Sequence, residues 1–121
     1  LLILALAIYR TSSNKKNKRT SLKFDPSGND ISDFGQRLTR AHANCYESGV
    51  FIVGPMMLAL ATGSAAITDG LALLVLAARV VQSLIHVASI SNAAITARFV
   101  VFLIQFGISG YWLFKIVQKF I

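Results

Sequence analysis

Apolar residues in this chain are gathered into long blocks rather than spaced as the single stripe of a soluble amphipathic helix. Residues 48–68 carry no charge, residues 70–90 are interrupted only by Arg79 and His86, and residues 99–114 are followed by Lys115 and Lys119. About 20 apolar residues are needed for a helix to cross a bilayer. The pattern therefore predicts three membrane-spanning helices.

A fourth apolar block, residues 1–8, is too short to span a bilayer, and it begins without a methionine. We expect it to be the end of a first membrane helix whose beginning is missing from this sequence. The predicted fold is an all-α, integral membrane four-helix bundle forming one domain over residues 1–121. Its predicted parts are the end of helix 1 at 1–9, a basic loop at 10–32, and helices at 33–63, 67–90 and 92–118. Asp30 or Ser32 is predicted to cap the second helix, and Ser91 or Asn92 the fourth.

Composition and charge placement agree with a membrane protein. Hydrophobic residues make up 55% of the chain and the mean hydropathy is +0.62. Most of the 12 Lys and Arg residues lie between residues 10 and 40, whereas the connection at 63–69 has none. By the positive-inside rule, we expect the loop at 10–32 to be cytoplasmic. Because topology already explains this basic stretch, we expect the lipid bilayer, and no nucleic acid, as its partner.

Candidate chemistry begins where the second helix enters the membrane. Arg37, Arg40, Asn44 and Glu47 follow one another at steps of three, four and three, so they share one helical face. Ionisable groups at this depth are costly and are usually retained for a function. This face is therefore the first candidate binding surface.

The third helix carries a second polar face, made of Arg79, Gln82, Ser83 and His86 at positions i, i+3, i+4 and i+7. An unpaired arginine at that depth costs about 2.5–3.5 kcal/mol on insertion scales. The sequence predicts that Glu47 approaches Arg79, directly or through a neighbouring subunit.

Such an ion pair alone could be purely structural. Together with Arg40 and Arg98, however, it leaves more cations than one carboxylate neutralises, which favours an anionic ligand.

Other chemistries have weaker support. Cys45 is interpreted as a small apolar filler, and a single cysteine forms no internal disulfide. No second His, Cys or Asp stands near His86 at the spacing of metal ligands, so no metal is predicted.

These residues match a known pattern. Arg40, Ala41, His42, Asn44 and Glu47 form an Arg-Ala-His-x-Asn-x-x-Glu motif at the start of the second span, and Ala78-Arg79 lies in the third. In these features the chain resembles the MAPEG family (membrane-associated proteins in eicosanoid and glutathione metabolism), and in particular a bacterial-type member in an inner membrane.

The resemblance implies a homotrimer that binds glutathione between subunits near the cytoplasmic face. It further implies that a lipophilic small molecule, the electrophile, arrives from the bilayer, and that the enzyme is a glutathione transferase or peroxidase. Arg98 would be the catalytic residue, stabilising the glutathione thiolate. By this resemblance Arg40, Asn44 and Glu47 would hold the ligand, and we expect Arg79, Gln82 and His86, the polar face of the third helix, to line the same binding site.

The chain departs from the family pattern at several positions. His86 stands where the glutathione-dependent enzymes often have a tyrosine, Ala43 where some have a basic residue, and Phe99 and Phe102 where hydroxyl groups are common. These departures keep open an alternative, a non-catalytic membrane module that binds an anionic lipid or small ligand. A third hypothesis is a proton or ion pathway through Glu47, Arg79 and His86.

Overall fold

The computed structural model describes residues 1–21 and 23–121. Residue 22, in the predicted loop, lies outside the described residues. Within these ranges the chain forms four helices and no strand. The helices are α1 (Leu2–Lys16), α2 (Asp33–Ala61), α3 (Ala66–Ala88) and α4 (Asn92–Gln118). The predicted all-α fold is confirmed.

The first helix is longer than the sequence pattern indicates. It was predicted to end at residue 9 but continues to Lys16, so the connection to α2 covers residues 17–32 rather than 10–32. An apolar block in the sequence indicates only the part of a helix that contacts lipid, and not a polar continuation beyond it. The polar continuation is stabilised by Asn14, which is buried and donates from Nδ2 to the Ser21 carbonyl at 3.2 Å. Two lysines in its last turn also suit the negative end of the helix dipole.

Side-chain caps start the second and fourth helices, as their sequences suggest. The Ser32 hydroxyl accepts from the Gly35 amide, and the Ser91 hydroxyl accepts from the Ala94 amide. Each bond satisfies a backbone N–H that the first helical turn leaves without a partner. Helix α2 begins at the predicted residue 33, and α4 begins at the predicted residue 92. The remaining ends of α2 and α3 differ from the predicted 33–63 and 67–90 by one or two residues.

The connection at 17–32 is fastened to the helices on either side. Arg10 of α1 donates to the Asp25 carbonyl at 3.3 Å and lies over the Phe24 ring at 5.2 Å. Gly28 has φ +78° and is so close to α2 that an added Cβ would lie 2.9 Å from the Thr39 hydroxyl oxygen. This tight loop fixes where α2 begins and hence where its polar face enters the bundle.

Helix α2 is the central element, because it packs against α1, α3 and α4. The side chains of Trp112 and Ile116 on α4, Val75 on α3 and Ala59 on α2 are buried in the bundle. Many large apolar side chains on the outer faces are exposed, including Val50, Leu73 and Phe114, as expected where lipid rather than water surrounds the helices. Helices α2, α3 and α4 are each long and apolar enough to cross a membrane.

Candidate ligand-binding cleft

Three arginines line a cavity at the end of the bundle where α2 begins, α3 ends and α4 begins. The cavity has a volume of about 350 Å³, within the usual range of small-molecule sites. We call it the cationic cleft. Its lining residues are Gln36, Arg37, Arg40, His86, Ile90, Ile95 and Arg98. No carboxylate is among them, so the cleft has an uncompensated positive charge that favours an anionic ligand.

A second cavity adjoins the cationic cleft about one helical turn further along α2, α3 and α4. It has a volume of about 230 Å³ and we call it the inner pocket. Its lining residues are Asn44, Gln82, His86, Arg98, Phe99 and Phe102. Since His86 and Arg98 line both cavities, they lie at the junction of a charged site and a partly aromatic one.

Arg98 is held by His86 across the α3–α4 interface. The distance between Arg98 Nη1 and His86 Nδ1 is 2.9 Å. A guanidinium can only donate, so Nδ1 must accept and the imidazole is the neutral form with its proton on Nε2. The histidine therefore positions the arginine without neutralising its charge.

Arg79 is paired differently from the prediction. Its Nη1 donates to Asn44 Oδ1 at 3.2 Å, while Glu47 is exposed on the surface of α2. In the described parts of the chain, the ion pair present joins Arg19 and Asp30, at 3.0 Å. Direct pairing of Glu47 with Arg79 within one chain is therefore wrong, because the shorter Asn44, one turn earlier, faces α3 instead. Pairing through a neighbouring subunit stays a prediction.

Gln82 is committed to the packing of α3 on α4. It is 2% exposed, and its Oε1 accepts from Gln105 Nε2 at 3.0 Å. Gln105 Nε2 also donates to the Val101 carbonyl. The amide oxygen of Gln82 is thus occupied, although its side chain borders the inner pocket as a binding role requires.

Five of the seven predicted site residues lie in or beside the two cavities, namely Arg40, Asn44, Gln82, His86 and Arg98. Arg79 contacts this group through Asn44, and Glu47 lies outside both cavities. Sequence reasoning placed Arg37 on the polar face of the second helix but did not include it among the residues that hold the ligand. The signal was present, since Arg37 precedes Arg40 by three residues. Its Nε donates to the Val87 carbonyl at 2.8 Å, which joins α2 to the end of α3.

A wide apolar groove lies between α1 and α3, on the other side of α2 from the cationic cleft. Its volume is about 980 Å³, and its walls are mainly leucine, isoleucine and valine side chains. The polar residues in its lining are Tyr9, Ser12, His42, Cys45, Arg79 and Ser83. There the Cys45 thiol and the Ser83 hydroxyl are 3.3 Å apart, so Cys45 has a polar contact and is not merely an apolar filler.

The fold and its apolar surfaces define a multi-pass integral membrane protein with a bundle of helices around α2. A family model, the MAPEG family, matches residues 1–118. The chain belongs to that family. No curated protein matched the chain, and no solved structure did.

Proposed function

We propose that this chain is a glutathione-dependent transferase or peroxidase acting on lipophilic electrophiles in the membrane. The observation that carries the proposal is the cationic cleft itself. It brings Arg37, Arg40 and Arg98 together without a carboxylate at the end of three membrane-spanning helices, and it adjoins an apolar, aromatic pocket. A water-soluble anion and an apolar molecule can therefore meet at one place.

Glutathione has two carboxylates, an ammonium group and a thiol, and we assign these groups to residues of the cleft, of the inner pocket and of the exposed surface of α2. In this proposal Arg40 binds a carboxylate through paired, charge-assisted hydrogen bonds, as guanidinium groups do well. Asn44 binds the peptide and is held in place by Arg79. The exposed carboxylate of Glu47 accepts from the ammonium group.

Arg98 is the proposed catalytic residue. A cation beside a thiol lowers the thiol pKa and raises the fraction of thiolate, which is the nucleophile. In the transferase reaction, the thiol proton leaves to solvent and the sulfur forms a bond to the electrophilic carbon. The leaving group then departs with the electrons of the broken bond. His86 keeps the guanidinium at the junction of cleft and pocket.

The proposal includes a homotrimer in a bacterial inner membrane, with the connection at 17–32 on the cytoplasmic side. Glu47 is exposed on one subunit, which leaves it available to a ligand or to Arg79 of a neighbour. Light scattering in detergent tests the assembly. We expect a protein mass of about three times the 13.1 kDa of one chain, and a monomer that still binds glutathione would contradict it.

Conjugation of glutathione to several electrophiles by the purified protein tests the activity. We expect turnover that is lost in Arg40→Ala and in Glu47→Ala and kept in Lys115→Ala, which removes an exposed cation near the far end of α4. A folded, trimeric wild-type protein with no turnover above background would contradict the proposal.

A second candidate function is supported by the apolar groove between α1 and α3. Its size and the presence of Arg79 in its lining suit an anionic lipid. His86 in place of a tyrosine also favours a module without catalysis. Mass spectrometry of lipids extracted from purified protein tests this candidate. It predicts one anionic lipid class enriched over the surrounding membrane and depleted in Arg79→Ala, and equal lipid profiles would remove it.

A further inference from the structure

Three phenylalanines form a continuous run of rings from the inner pocket to the outer surface of the bundle. Phe102 lines the inner pocket beside Arg98 and Gln82. Its ring is stacked with that of Phe106, at 5.9 Å between centroids and 28° between planes. The Phe106 ring in turn meets Phe51 of α2 edge to face, at 6.1 Å and 63°. We call these three residues the aromatic strip.

The strip follows from helix geometry. Phe102 and Phe106 are four residues apart on α4, so one ring lies above the other on the same face. Phe51 lies about two turns after Asn44 on α2, which points the run away from the charged end of the site. The inner end of the strip is partly buried, while Phe106 is 50% and Phe51 57% exposed. The strip therefore opens towards lipid and ends beside Arg98.

We propose that the aromatic strip is the binding surface for the second substrate and selects planar aromatic or conjugated electrophiles over saturated alkyl ones. This inference rests on the proposed function, because it assigns the electrophile that meets the thiolate at Arg98. A flat π-system can continue the stacked and edge-to-face geometry of the strip. Such ring pairs stabilise by more than their buried area, whereas an alkyl chain gains only the area.

The alternative is that these rings only face lipid, as exposed apolar side chains of a membrane helix do. That reading predicts the same response to every electrophile. The ring geometry favours the proposal, since the run connects to a cavity lined by the proposed catalytic residue rather than lying apart from it.

Steady-state kinetics with two electrophiles distinguish an aromatic strip that binds substrate from one that only faces lipid. One is 1-chloro-2,4-dinitrobenzene, from whose ring the sulfur displaces chloride, and the other is 1-iodohexane, from whose chain it displaces iodide. The variants Phe51→Leu and Phe106→Leu keep apolar bulk and remove the ring. Phe114→Leu is the matched control, an exposed phenylalanine of α4 outside the strip.

We expect each strip variant to raise KM for chlorodinitrobenzene about twofold to tenfold, the range given by the extra stabilisation of aromatic pairs. KM for iodohexane should change less than twofold, and Phe114→Leu should change neither. Equal losses for both electrophiles, or no loss for either, in a protein that turns both over would overturn the inference.

A second measurement needs no turnover. Photolabelling with an aryl azide, mapped by mass spectrometry, should give adducts at the strip that excess 1,3-dinitrobenzene prevents. Protected labelling in a protein that conjugates nothing would mean that the strip binds aromatic molecules and that the proposed glutathione chemistry is wrong. Labelling that is unprotected, or spread evenly over lipid-facing positions, would overturn the strip as a site.

Discussion

Three of the arginines in and beside the site donate to neutral partners, so their positive charge remains available to an anionic ligand. Arg37 donates to a backbone carbonyl, Arg79 to the Asn44 amide and Arg98 to the His86 imidazole. Each bond orients a guanidinium while leaving its positive charge uncompensated. A buried or half-buried cation without a carboxylate is costly in a membrane protein, and an anionic ligand offsets that cost.

Arg98→Ala should affect the chemical step more than glutathione binding. Removing the cation lowers the fraction of glutathione present as thiolate at neutral pH, so kcat should fall by up to about tenfold for each unit by which the thiol pKa rises. Without the cation, the thiol pKa rises, so the rise of rate with pH should move to higher pH. Arg98→Lys should recover part of kcat, and His86→Ala should cause a smaller loss because it only frees the guanidinium. An unchanged pH profile in Arg98→Ala, measured as kcat against pH, would refute the assignment.

Asp25 provides a pH-dependent contact outside the membrane. Hydrogen bonds from the Ser27 hydroxyl and the Ser27 backbone amide hold the pKa of this carboxyl below its ordinary value of 3.8. Because the folded pKa lies below the unfolded one, the contact stabilises the fold above the unfolded pKa, and this stability is lost as pH falls through the folded pKa. Asp25→Asn should therefore lower the melting temperature slightly at neutral pH, with the difference vanishing in acid. A difference that persists in acid would contradict this.

Among the elements, the α3–α4 contact depends on a buried amide pair. Gln105→Leu leaves Gln82 buried with its oxygen unpaired, which costs about 1–3 kcal/mol, partly offset because the substitution also removes Gln105 Oε1, which is buried without a hydrogen-bond partner in the described parts of the chain. The double variant Gln82→Leu, Gln105→Leu should regain much of that loss, since an apolar pair leaves no unsatisfied group between the helices. Equilibrium unfolding in mixed detergent measures these differences, with the exposed Gln118→Leu as control. Additive losses in the double variant would show that the bond contributes little.

The α2–α3 contact is tested by the partner of Arg79. In a double-mutant cycle, the effects of Asn44→Ala and Arg79→Ala on the free energy of unfolding should be coupled by about 0.5–2 kcal/mol, the range measured for hydrogen bonds between membrane helices. The losses in unfolding free energy caused by Glu47→Ala and Arg79→Ala should be additive in a monomer. They should be coupled only in an assembly that brings Glu47 close to Arg79 of a neighbouring subunit. Coupling of Glu47 to Arg79 in a monomeric preparation would contradict the structure.

Elements were easier to predict from the sequence than contacts. Apolar blocks identified α2, α3 and α4 because the thickness of the bilayer sets a minimum length for the apolar segment of a spanning helix. The same rule misplaced the end of α1, since residues 10–16 form helix in a polar stretch held by Asn14 and the loop. Periodicity placed Arg40 and Asn44 on one face of α2, where they line adjoining cavities, and Gln82 and His86 on one face of α3, where both line the inner pocket. It could not distinguish Asn44 from Glu47 as the partner of Arg79, because that depends on how α2 is rotated against α3.

At the scale of the whole molecule, the bundle separates a charged region from an apolar one. Arginines gather where α2 and α4 begin, and the aromatic strip leads from there towards lipid. Helix α1 packs on α2 and leaves a wide apolar groove beside α3. This arrangement lets an anion reach Arg98 from water and an apolar molecule reach it from the bilayer, which is the geometric basis of the proposed transferase.

The most direct test of the central claim is a thermal-shift titration of the purified protein with glutathione. A ligand that binds only the folded state adds about 1.4 kcal/mol of stability for each tenfold increase above its Kd, and the melting temperature rises accordingly. We predict this rise for wild type and for Lys115→Ala, and none for Arg40→Ala. If the melting temperature of the folded wild-type protein does not change with glutathione but rises with an anionic lipid, the proposed glutathione site is contradicted.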